Sequence, residues 1–122
     1  MSLAYLLPLR PTFSFKDRRL VLQTPECCIG RDITGMHKAK WHTYTENVQY
    51  ARARFKDFKG STVVLTEDLY SAAKIGYWVP EVLPVACLGT RISAALMERL
   101  LTAKEVITWL DGDSAGDKAH IS

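Results

Sequence analysis

Short apolar runs separated by turn residues fill the first third of the chain, and after Gly60 the period changes. From Tyr5 to about Tyr44 the apolar or alternating pieces are punctuated by Pro8, Pro11, Pro25, Gly30 and Gly35. RLVLQ, ECCIGRDI and KWHTY read as strands of an antiparallel meander, because turn residues recur between runs of strand length. Asp32-Ile33-Thr34-Gly35 suits a hairpin loop. Between residues 45 and 59, Val48, Ala51, Phe55 and Phe58 stand near helical spacing and predict a helix, although Tyr50 to Phe58 also reads with strand alternation.

STVVLTE is β-branched and apolar enough for a strand covered on both faces. DLYSAAKIGYW follows as a helix that Asp68 or Thr66 could cap. VLPVACLGT predicts the next strand, ending at Gly89-Thr90. ISAALMERLLT predicts an amphipathic helix, EVITWL a third strand, and SAGDKAHIS the opening of a third helix. The sequence stops as that helix begins, so a piece cut from a longer chain is expected. The order β-α-β-α-β-(α) requires one parallel sheet with right-handed crossovers. The expectation is therefore an α/β unit over residues 61–122, preceded by a small, mainly antiparallel β lobe over residues 1–60.

With 122 residues and 48% hydrophobic content, the chain can build a core as one compact domain or two small lobes. Its formal charge of +3 is too mild to identify a nucleic-acid binder, but the distribution says more. Basic residues cluster before Ser61, as Lys16/Arg18/Arg19, His37/Lys38/Lys40 and Arg52/Arg54/Lys56/Lys59. The first half could hold a polyanion while acidic residues act in the second. Cys27, Cys28 and Cys87 form no CxxC pair, which argues against structural zinc, and the odd count suits a reducing cytoplasm. Cys87 reads as a small buried apolar residue. The opening MSLAYLLPLRP is broken by Pro8 and Arg10, so neither signal peptide nor membrane segment is expected. His37, His42 and His120 lack partners at ligand spacing and read as surface residues. Trp41, Trp78 and Trp109 read as core or edge packing, and no P-loop is present.

The chemistry concentrates at two strand ends. STVVL runs into Thr66-Glu67-Asp68, and EVITWL into Asp111-Gly112-Asp113. Open α/β sheets bind ligands at the carboxyl ends of their strands. Two neighbouring strands about 4.8 Å apart would bring Glu67, Asp111 and Asp113 together as a divalent-metal site. Asp111 and Asp113 point to one side of an extended backbone, and Mg²⁺ relieves their repulsion while keeping sites for water and phosphate oxygens. Glu67 could share the ion or act as general acid or base in phosphoryl transfer. The plainer alternative is a polar Asp-Gly-Asp turn with Asp113 as a helix cap.

VVLTEDLYSAAKIG, VACLGT and VITWLDGDSAG, in this order and spacing, resemble the three successive motifs of the Toprim domain of bacterial and phage DNA primases. Upstream, CCIGRDITGMHKAKWHTY resembles the primase segment in which Gly-Arg precedes a short loop and a Lys-aromatic pair. The likeness covers about residues 27–119. It implies a Toprim-like, Rossmann-type parallel sheet with flanking helices. It also implies a nucleotidyltransferase that makes RNA primers on single-stranded DNA from ribonucleoside triphosphates. Glu67, Asp111 and Asp113 would be its catalytic and metal-binding residues, with Mg²⁺ or alternatively Mn²⁺. Arg31 and Lys40 would lie near the nucleotide and template, and Gly89 and Thr90 match the small-residue turn after the second strand. A replicative helicase is a further partner the resemblance leaves open. Asp68 departs from the wider family, in which Gly often follows the glutamate. The zinc-binding domain, later Toprim elements and helical subdomain of bacterial primases are not found in these residues. The alternatives are a Toprim nuclease or topoisomerase-type enzyme, and a non-catalytic fragment that binds nucleic acid or a replication protein.

Overall fold

A computed structural model of the chain describes residues 4–88 and 92–109. A 3₁₀ turn over Ala4–Leu9 leads into β1 (Thr12–Ser14), β2 (Arg19–Gln23), β3 (Cys28–Asp32) and β4 (Trp41–Thr43). These four strands form an antiparallel meander in sequential order. There follow β5 (Tyr50–Arg52), β6 (Thr62–Thr66), α1 (Leu69–Trp78), β7 (Leu83–Cys87), α2 (Ala94–Leu100) and β8 (Glu105–Thr108). They build a second sheet in the order β5-β7-β6-β8, with β6 parallel to both β7 and β8 and β5 antiparallel to β7. The protein is therefore mixed α/β, and the expected meander and β-α-β-α-β order are both present among the described residues.

Both faces of the second sheet are covered, as the apolar runs of β6 and β7 require. On one face Ala51 and Ala86 pack with Leu69, Ala72 and Ala73 of α1, Leu6 and Leu9 of the 3₁₀ turn, and Leu22 and Ile29 of the meander. On the other, Val63, Leu65, Leu83, Val85 and Cys87 pack with Phe58 and with Leu96 and Leu100 of α2. Small alanines line the first face because the meander and α1 both press on it. Burial pushes the Cys87 thiol up to about 11, which keeps it protonated and apolar in character. All three cysteines are free. No helix among the described residues is long and apolar enough to cross a membrane.

The helix expected between residues 45 and 59 is not there. Tyr50–Arg52 pairs with β7, and the residues after it run through turns to Phe58. Long-range partners override the local spacing. Glu26 accepts the Arg52 backbone N–H at 2.8 Å and its Nε at 2.6 Å, and the Ala53 N–H donates to the Pro84 carbonyl. Burial then alternates with period two, Ala51 and Ala53 inward, so strand pairing prevails over a weak helical pattern. Gly60, at φ +74, turns the chain into β6 through a conformation that other residues rarely adopt. Because β5 comes before residue 60, the second sheet draws a strand from the segment expected to form the first lobe.

Candidate functional site

In the order β7-β6-β8 the first of the three parallel strands lies in the middle, so the connections diverge between β6 and β8. That is the switch point at which open α/β sheets leave a crevice beyond their carboxyl ends. Leu65 stands opposite Thr108, and the Trp109 N–H extends the ladder to the Leu65 carbonyl at 2.7 Å. Glu67 and Trp109 therefore leave the sheet side by side.

An open cleft of about 350 Å³ occupies this point, lined by Glu67, Asp68, Ser71, Lys74, Ile75 and Trp109. Thr66, just before the cleft residues, is buried, and its hydroxyl donates to the Asp68 carbonyl at 2.9 Å. The Asp68 carboxylate then accepts the Ser71 N–H at 2.8 Å and caps α1, so its departure from glycine has a local structural use. Glu67, between these two, is exposed. In Thr66-Glu67-Asp68 the outer two residues thus hold the backbone, and the middle one is exposed at the cleft. Asp111, Asp113, the expected third helix with His120, and the Gly89-Thr90 turn lie outside the described residues. Among the described residues no group of three His, Cys, Asp or Glu side chains stands together as a metal site.

Arg31 and Trp41 are cross-strand partners in the meander. The Arg31 guanidinium lies 5.2 Å from the centre of the Trp41 ring and 5.3 Å from that of Tyr70, on the first turn of α1. Trp41 and Tyr70 meet edge to face at 4.9 Å. The meander thereby brings its Gly-Arg segment to the helix that starts just after Glu67. Burial raises the Tyr70 hydroxyl pKa, and the nearby Arg31 charge partly offsets this. Lys40 is exposed, and its carbonyl accepts from the Asp32 N–H at 2.8 Å and from Arg19 Nη1 at 3.1 Å.

Several residues of the basic clusters are structural. Arg19 is buried, donates to the carbonyls of Gly30, Ala39 and Lys40, and lies so close over Gly30 that a Cβ there would meet its Cδ at 3.1 Å. Arg52 pairs with Glu26, and Arg54 donates to the Gly76 and Pro80 carbonyls. Lys16, Arg18, Lys38 and Lys40 remain exposed on two loops that are tied together. His37 Nε2 lies 2.7 Å from the Asp17 carbonyl oxygen, and Arg18 donates to Met36 Sδ. His37 is accordingly half-buried rather than a plain surface residue, whereas His42 is exposed.

Asp32 anchors the second of these loops. Desolvation pushes its carboxyl up, but hydrogen bonds from the Thr34 hydroxyl and N–H and from the His37 N–H outweigh that, lowering it from 3.8 to about 2. A depressed carboxyl stabilises the fold above its unfolded pKa, and this contribution disappears as pH falls through the folded one. Protection of the Thr34 and His37 amides from exchange, relative to the intrinsic rate at each pH, should therefore hold above about pH 4 and fall toward pH 2. Asp32→Asn should remove that step, and an unchanged exchange profile in the variant would refute the anchor.

Two aromatic residues contradict their sequence assignment as packing residues. Trp109 is 69% exposed at the lip of the cleft, and Trp78 is 78% exposed at the end of α1. The signal for Trp109 was its parity with exposed Glu105 and Ile107. Ser71, Lys74 and Ile75 were also missed as cleft residues, although their spacing places them on one face of α1. Comparison with known proteins finds no family model and no curated protein that matches the chain.

Proposed function

We propose that this chain is the catalytic core of a phage-type or bacterial DNA primase, built on a Toprim-like sheet, that joins ribonucleotides on a single-stranded DNA template. The observation that carries this reading is the parallel pairing of β6 with β8. It sets the strand that delivers Glu67 beside the strand that Asp111-Gly112-Asp113 follows in sequence, at the switch-point cleft. Glu67 offers an exposed hard oxygen donor there, which fits Mg²⁺ or Mn²⁺. Such an ion, held by Glu67, Asp111 and Asp113, would neutralise the charge developing on the transferred phosphoryl group. Glu67 also takes or returns a proton within reach of that group. Arg31, its guanidinium held over the Trp41 and Tyr70 rings, offers a planar group suited to phosphate. Lys40 and the neighbouring exposed cations extend a path for the template backbone.

Two measurements test the reading. Labelled ribonucleotides and a single-stranded template should yield template-directed primers from the protein. Cleavage products alone would point to a Toprim nuclease, and DNA binding without either product to a non-catalytic module. Arg31→Ala and Lys40→Ala should each weaken single-stranded DNA binding several-fold and flatten the slope of log K against log salt by about 0.7 for each phosphate no longer neutralised. A slope unchanged in both variants would remove the template path.

A further inference from the structure

We propose that Trp109 is a stacking platform for the heteroaromatic base of a nucleotide in the switch-point cleft. The proposal rests on the reading of this cleft as a nucleotide site and adds what the carboxylates cannot supply, a contact to the base. An indole that is 69% exposed leaves a broad apolar face in water, a state that a binding partner improves. Its place is set by the sheet, because the Trp109 N–H is held by the Leu65 carbonyl at 2.7 Å. A platform fixed to a strand end is better ordered than one on a loop.

The rest of the lining complements a base. Ile75 adds an apolar surface, while Lys74 and Ser71 supply donors on the same helix. The Asp68 carboxylate, beyond the Ser71 N–H that it accepts as helix cap, has acceptor capacity for N–H groups such as the exocyclic amines of bases. The volume of about 350 Å³ falls within the range of roughly 300–1,000 Å³ typical of small-molecule clefts. Stacking tolerates any base, because each has a π face. Trp109 should therefore confer preference for a base over no base rather than sequence preference.

The base could belong to a free ribonucleoside triphosphate or to the template strand, and paired probes separate the two. Dissociation constants would be measured for a thymidine oligonucleotide against an abasic strand of the same length, and for a ribonucleoside triphosphate against inorganic triphosphate. The wild-type chain should prefer the base-bearing member of at least one pair, and that pair identifies the source. Trp109→Ala should reduce the preference by roughly tenfold to a hundredfold, and Trp109→Phe should keep most of it. Trp109→Leu, apolar but without a π face, should behave like the Ala variant and guards against disturbance of β8 by the smaller residue. No preference in the wild type, or a preference that survives in both the Ala and Leu variants, would overturn the proposal. Primer synthesis by the protein is scored separately. A Trp109-dependent preference without synthesis would leave the stacking site and remove the primase reading, whereas synthesis without the preference would do the reverse.

Discussion

Glu67→Gln is expected to reduce template-directed primer synthesis by roughly 10²- to 10⁴-fold, the usual range for loss of a positioned acid or base. Its thermal unfolding should stay close to wild type, because exposed substitutions usually change stability by no more than about 0.5 kcal/mol. The separation of the two effects follows from the local structure. The hydroxyl of Thr66 and the carboxylate of Asp68 hold the strand-to-helix turn, and Glu67 between them is exposed at the cleft. Gln keeps the shape and removes the charge. Asp111→Asn and Asp113→Asn should produce the same loss of synthesis and abolish Mg²⁺ binding in titration calorimetry. Full synthesis by Glu67→Gln would eliminate the residue as acid, base or metal neighbour. Unchanged Mg²⁺ affinity in both aspartate variants would eliminate the metal assignment.

The α/β half of the chain was legible because its periods are unambiguous. The β-branched stretch Thr62–Thr66 and the run Leu83–Cys87 are buried on both faces, and Asp68, one of the two caps the sequence offered, starts α1. Glu67 stood out for the same reason, as the carboxylate at the end of such a strand. What the sequence concealed depended on residues far apart along the chain. Nothing local shows that Glu26 will meet Arg52, 26 positions later, or that Arg19 will turn inward to the carbonyls of the 39–40 segment. A count of basic residues therefore overstated the surface left for a polyanion. Trp109 was misread because a large aromatic residue in a strand is ordinarily packed. Its exposure follows from the alternation of β8, the strand at the end of the sheet order among the described residues.

Phe58→Ala is expected to destabilise the protein by about 3–5 kcal/mol, the cost of removing a buried aromatic ring and leaving a cavity. That is a large share of the roughly 5–15 kcal/mol that holds a small protein together. Phe58 is 1% exposed and packs beneath α2 with Val63, Leu65 and Leu83. Its ring meets Tyr50 edge to face at 5.9 Å, and the Arg52 guanidinium lies 5.1 Å from its centre. Phe55 in the same segment is 54% exposed, with the Arg10 guanidinium over it at 5.5 Å. Phe55→Ala should therefore cost no more than about 1 kcal/mol. The contrast distinguishes the observed strand and turns from the helix that the spacing predicted. On one amphipathic helix, positions 55 and 58 would share the buried face, and both substitutions would be severe. Urea unfolding of the two variants decides between them: comparable losses of midpoint would restore the helix, and a large loss confined to Phe58→Ala is what the turn after β5 requires.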